Sequence, residues 1–105
     1  MNQKILELWN IHLASKFPPG YGGETVDDID LVLLDSDVAG YALTFIQNNG
    51  KLDVWRTAIL GRSYRDLTVV ISHLSGEAKE FFSLLETLSN LVLKDIIVIE
   101  KALSQ

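Results

Sequence analysis

Apolar residues recur at intervals of three and four along most of this chain, and this spacing constrains the fold more than any other feature. It runs through Leu31, Leu34 and Val38, and it returns between residues 81 and 103. Side chains at these intervals share one face of an α-helix, whereas a half-buried strand alternates at every second residue. The spacing therefore predicts an all-α protein.

Three clusters of turn-forming residues divide this pattern. They are the stretches 18–23, 48–50 and 75–76, in which Pro, Gly, Asn and Ser predominate. Such residues end helices or connect them. We predict four helices, over about residues 2–16, 27–49, 53–74 and 77–103.

The predicted helix ends carry suitable capping residues. Thr25 or Asp27 would cap the start of the second helix, and Asp53 the start of the third, because short polar side chains accept hydrogen bonds from free helical N–H groups. Gly50 would end the second helix in a left-handed conformation. Two runs rich in β-branched residues, 67–71 and 96–99, also suit strands. Both lie inside longer helical patterns without flanking turn residues, so we interpret them as helical.

The length of 105 residues suits one domain, residues 1–105, with a single core. Short connections favour antiparallel neighbours. The expected architecture is an antiparallel up-down four-helix bundle, with three long helices and a shorter N-terminal one.

The turn at residues 50–51 sets the expected register of the second and third helices. It places Gly40 opposite Gly61, and since glycine weakens a helix interior, the pair either allows a close approach of two backbones or is tolerated without a structural role. It also places Asp37 near Arg62 and Arg65, which predicts an ion pair between the helices.

Charge is unevenly distributed. The chain has 14 acidic and 9 basic residues, and the segment 24–49 holds six acidic residues and no basic one. An acidic protein is a poor match for nucleic acid, so we expect no nucleic-acid partner. No uncharged stretch reaches the roughly 18 residues that span a bilayer, so we expect no membrane partner. Polar residues interrupt the apolar ones near the N-terminus, unlike in a signal peptide, so we expect a cytoplasmic location.

Three aspartates of the second predicted helix could bind a divalent cation. Asp27, Asp30 and Asp37 have spacings that place them along one side of that helix, and carboxylate oxygens are suitable ligands. The helix dipole alone explains aspartates in a first turn. No Glu-x-x-His pair of the kind found in dimetal bundles is present. We expect no cofactor.

The remaining candidate chemistry has structural explanations. His12 and His73 lack a neighbouring nucleophile motif, and the Gly-rich stretch 20–23 is followed by acids rather than by a phosphate-binding lysine. The large aromatic residues are expected in the core; they are Trp9, Trp55, Phe81 and Phe82. The fourth helix has a wide apolar arc, so it either lies at the centre of the bundle or offers a surface to a second copy or a partner. We expect both, and hence a homodimer.

The segments LVLLDSDVAG, NNGKLD and LSGEAKEFF, which lie between Leu31 and Val92, resemble a family of small uncharacterised all-helical bacterial proteins. The resemblance covers the three long helices and implies no activity. It makes Asp35, Asp37 and Gly40 part of the family's most recognisable motif.

We expect a non-enzymatic function, since no catalytic set of residues stands out. The predicted function is a small acidic protein-interaction or regulatory module, either immunity-like or antitoxin-like or a self-associating bundle, whose partner is a protein or a second copy. The alternative is a metal-dependent hydrolase of a phosphorylated small molecule that uses the aspartates of the second helix.

Overall fold

The computed structural model describes residues 1–100, most of which lie in four helices. Helices make up 67% of it, which confirms the predicted helical class, but four short strands are also present. The elements in chain order are α1 (Gln3–Ala14), β1 (Thr25–Val26), β2 (Ile29–Asp30), α2 (Leu31–Gln47), β3 (Lys51–Asp53), α3 (Val54–Ile71), α4 (Gly76–Asp95) and β4 (Ile97–Ile99). The description all-α is therefore too simple.

One hydrophobic core joins the four helices. Each helix contributes residues that are almost or fully buried, among them Ile5 from α1, Phe45 from α2, Leu60 from α3 and Phe82 from α4. Helix α4 packs against α1, α2 and α3, and α3 also packs against α2. None of the helices in the described residues is long and apolar enough to cross a bilayer.

The start of the second helix was predicted wrongly. Residues 25–30 form an antiparallel hairpin in which Thr25 pairs with Asp30 and Val26 pairs with Ile29. The backbone N–H of Leu31 donates to the carbonyl oxygen of Glu24 at 3.2 Å and closes the hairpin at its base.

Neither Thr25 nor Asp27 caps α2. Asp30 is the capping residue, and its carboxylate accepts from the N–H of Leu33 at 2.9 Å. The helix therefore begins at Leu31, immediately after its cap, and not at residue 27.

The end of the fourth helix was also predicted wrongly. α4 ends at Asp95, and residues 97–99 pair in parallel with residues 51–53. The β-branched run finds main-chain partners in β3, and the carbonyl of Gly50 accepts from the N–H of Ile97 at 2.8 Å. The predicted continuation to residue 103 lies partly outside the described residues. The other β-branched run, 67–71, is helical as predicted.

One predicted helix end is confirmed, and a second is confirmed in part. Asp53 caps α3, where its carboxylate accepts from the N–H of Arg56. Gly50 has a φ of +89°, and its N–H donates to the carbonyl of Phe45 at 2.9 Å. However, α2 ends at Gln47 and not at residue 49, and the first left-handed residue after it is Asn49.

Candidate protein-interaction surfaces

The hairpin over residues 24–30, called here the acidic hairpin, presents four carboxylates to solvent. Glu24, Asp27, Asp28 and Asp30 are all exposed. None of them has a cationic side chain within 4.0 Å in the part of the chain that the structure describes. The hairpin is therefore an uncompensated negative surface.

The turn of the acidic hairpin has unusual residues for its backbone conformation. Asp27 and Asp28 have φ angles of 49° and 65°, so both are left-handed. A two-residue turn of this kind is normally Asn-Gly or Asp-Gly, since a side chain disfavours positive φ. The helix dipole cannot explain these two aspartates, because they precede α2 and do not lie in its first turn.

Exposed apolar side chains follow the acidic hairpin directly. Val32 and Leu33, in the first turn of α2, are 42% and 58% exposed. Carboxylates and apolar side chains thus lie side by side, in the mixture that protein interfaces contain.

The solvent-facing side of α3 forms a second surface, called here the arginine face. Its residues follow one another at intervals of three and four and are all exposed; they are Trp55, Ala58, Arg62, Arg65 and Val69. This spacing gives one continuous stripe along the helix. Trp55 is 65% exposed, so its predicted place in the core is wrong.

The predicted ion pair between Asp37 and Arg62 or Arg65 is absent. Within residues 1–100, no carboxylate lies within 4.0 Å of either guanidinium group. Burial raises the pKa of the Asp37 carboxyl, and burial together with the charge of Asp37 raises the pKa of Tyr41. Arg62 and Arg65 are both exposed, and neither has a carboxylate partner in the part of the chain that the structure describes.

The predicted contact between Gly40 and Gly61 is also absent. A Cβ atom built at either glycine would meet nothing within 4 Å, and Gly40 is exposed. The two backbones therefore do not require glycine for a close approach.

The predicted metal ligands are not brought together. Asp27 lies in the hairpin turn, Asp30 is engaged as a helix cap and Asp37 is partly buried on α2. Over residues 1–100, no group of three or more carboxylate, imidazole or thiol side chains could hold a metal ion. Nothing in this geometry favours the hydrolase hypothesis.

A buried pair of polar side chains was missed by the sequence analysis. Nε2 of His12 lies 3.2 Å from Oδ1 of Asp35, and the side chain of His12 is only 11% exposed. The imidazole packs between Trp9 and Phe81, at ring-centroid distances of 5.9 Å and 5.5 Å. The Nε2–Oδ1 contact is close but not aligned as a hydrogen bond. Oδ1 of Asp35 and Nδ1 of His12 therefore have no hydrogen-bond partner among the described residues. The pair is long-range in sequence, so only the position of His12 on the apolar side of α1 could have indicated it.

His12 also borders a cleft of about 450 Å³ between α1 and the beginning of α4. Its polar lining includes Ser15, Lys16, Glu77 and Glu80. The Ser15 hydroxyl donates to the carbonyl of Ile11 at 2.7 Å and not to the imidazole. The Ser15 hydroxyl is therefore engaged by the backbone of α1.

No protein-family model, curated protein or solved structure matches the chain. The resemblance described above stays a prediction. The function must therefore be argued from the acidic hairpin, the arginine face and the buried pair themselves.

Proposed function

We propose that the chain is a non-enzymatic protein-interaction module whose binding surfaces are the arginine face and the acidic hairpin. The observation that carries this proposal is Trp55, which is 65% exposed on the same stripe as two uncompensated arginines. Tryptophan and arginine are the residue types most enriched at the energetic centres of protein interfaces. An exposed indole loses little conformational entropy on binding and buries a large apolar area.

The arginine face favours a partner with carboxylates. A guanidinium group can donate two parallel hydrogen bonds to one carboxylate, which gives geometric specificity as well as charge. Arg62 and Arg65 are one helical turn apart, so they can meet acidic residues carried on a single helix or hairpin of the partner.

The acidic hairpin favours a partner with a positively charged surface. Its four carboxylates lie beside the exposed Val32 and Leu33, which supports docking onto a cationic surface with an apolar centre. An immunity-like or antitoxin-like protein, which covers a basic partner with an acidic surface, is the specific form of this proposal.

The bundle arrangement belongs to the same proposal. The connections from α2 to α3 and from α3 to α4 are short, which supports an up-down antiparallel order of these helices. In that arrangement one side of α3 packs into the protein and the arginine face remains available to a partner.

The test is a comparison of variants in affinity capture from lysate of the native host, with protein identification by mass spectrometry. Trp55→Ala removes the aromatic anchor, and Leu13→Ala is its matched control, because Leu13 is 63% exposed on α1. Arg62→Glu with Arg65→Glu reverses the charge of the stripe. The control for this pair applies the same charge change to two exposed lysines elsewhere, Lys4→Glu with Lys79→Glu.

We expect the wild type and both controls to capture the same partner, and the Trp55 and arginine variants to lose it. Retention of every captured protein by the arginine and Trp55 variants would show that this surface does not bind proteins. Circular dichroism of each variant verifies that its helical content is unchanged.

A further inference from the structure

We infer that the arginine face binds the acidic hairpin of a second copy of this chain. This inference rests on the proposed function and specifies a partner for it. It starts from the arginine face, whose Trp55 and two guanidinium groups need an occupant that is both acidic and apolar.

The chain itself carries a surface of that composition. The acidic hairpin offers four exposed carboxylates, and Val32 and Leu33 extend it with apolar side chains. On the arginine face, Trp55 and Val69 supply the apolar part and Arg62 and Arg65 the opposite charge. The two surfaces are therefore complementary in charge and in their mixture of polar and apolar groups.

Within one copy, the described residues form no ion pair between the two surfaces. Among residues 1–100, the ion pairs within 4.0 Å join Lys4 to Glu7, His12 to Asp35, and Arg56 to Asp53. The arginine face and the acidic hairpin contribute to none of them. Their mutual attraction is thus available to a contact between two copies.

Each chain holds one of each surface, and we infer that the dimer makes this contact twice, around a two-fold axis. Exposed ion pairs contribute little individually, and salt screens them. We therefore assign most of the affinity to burial of Trp55. The charges of the arginine face and the acidic hairpin select the partner and set the register of the contact. The expected complex is a weak dimer that dissociates as ionic strength rises.

The experiment is sedimentation equilibrium of the full chain from micromolar to millimolar concentration, at about 50 mM and about 500 mM salt. The face variant carries Arg62→Glu and Arg65→Glu. The hairpin variant carries Glu24→Lys, Asp27→Lys and Asp28→Lys, which make the net charge of the hairpin positive and leave the α2 cap intact. We expect the wild type to dimerise at low salt and each variant alone to associate at least tenfold more weakly.

Two combinations make the test specific. A mixture of the face variant and the hairpin variant pairs each surface with one of opposite charge, so it should form a heterodimer. A single chain with all five substitutions should recover the homodimer. Lys4→Glu with Lys79→Glu is the control for added negative charge and should dimerise like the wild type.

A second hairpin variant separates binding from folding. Asp27→Asn with Asp28→Gly removes two carboxylates and supplies the residues that this turn favours, so the hairpin should form at least as well. We expect this variant to keep its thermal stability and to associate more weakly. Association as strong as that of the wild type would overturn the assignment of the hairpin.

A wild type that stays monomeric near 1 mM at low salt would overturn the inference, and so would a mixture that fails to associate. If the chain is monomeric while the face variant loses a captured partner, the second copy is the wrong occupant and the proposed function stands. If the face variant changes neither self-association nor capture, both proposals fail.

Discussion

The cap of α3 gives a quantitative test of how this fold is held together. The Asp53 carboxylate is almost fully buried and makes two contacts with Arg56, from the backbone N–H at 3.3 Å and from Nη1 at 2.8 Å. Replacement by alanine removes a helix cap, which costs about 1 kcal/mol, and a charge-assisted hydrogen bond, which costs about 1.5 kcal/mol. For the hydrogen bond we use the lower end of the range known for charged groups, because Arg56 is one-third exposed and solvent weakens the interaction.

We therefore expect Asp53→Ala to lower the free energy of unfolding by about 2.5 kcal/mol in urea denaturation at pH 7. Asp53→Asn keeps one acceptor oxygen for the N–H of Arg56 but replaces the other by an amide donor, so it loses the charge-assisted hydrogen bond from Nη1. A loss of about 1.5 kcal/mol is expected. The matched control is Asp30→Ala, which removes the exposed cap of α2 and should cost about 1 kcal/mol. Equal losses for Asp53→Ala and Asp30→Ala would refute the role assigned to Arg56.

The pH dependence of the same variants tests the charge. Burial raises the pKa of the Asp53 carboxyl, but hydrogen bonds from Arg56 and its positive charge lower it by more, so the net pKa is below its ordinary value. A depressed pKa stabilises the folded state above the unfolded pKa of about 3.9, and this stabilisation is lost as the pH falls through the folded pKa. The stability difference between the wild type and Asp53→Asn should therefore shrink below about pH 4.

Two further predictions concern α2 and the buried pair. Gly40→Ala should raise stability by about 0.5–1 kcal/mol, because Gly40 is exposed in a helix with free space around it. Gly50→Ala should lower stability, because a side chain disfavours its φ of +89°. Thermal denaturation of the two variants measures both changes, and a destabilised Gly40→Ala would contradict the open environment of that residue. His12→Phe and Asp35→Leu should each cost about 1–3 kcal/mol by leaving a buried polar group alone, while the double variant should cost much less than their sum. Additive losses in the double-mutant cycle would show that the two side chains do not interact.

The parts of the fold set by local chemistry were predictable. Asp53 and Gly50 could be identified because a cap depends on the residue and its immediate neighbours in the chain. The helical classes of α2, α3 and most of α4 follow from apolar spacing. The hairpin was missed because its turn contains Asp27 and Asp28 where sequence reasoning expects glycine. β4 was missed because its partner strand is distant in sequence.

The candidate surfaces were only partly predictable. Arg62 and Arg65 were selected from sequence, but their expected partner Asp37 is not near them. The intervals from Trp55 to Arg62 and Arg65 already placed the three on one helical side. The tryptophan was assigned to the core because large aromatic residues are usually buried, and burial of a particular side depends on neighbours that no local pattern specifies.

The parallel pairing of β3 and β4 has a consequence for the order of folding. The whole of α3 and α4 lies in the chain between Lys51 and Ile97, so this pairing closes a long segment. Closing such a segment costs conformational entropy, and a pairing of three residues gives little stabilisation in return. We therefore expect the helices to pack first and this small sheet to form late, so that pairing of β3 with β4 marks the completion of folding.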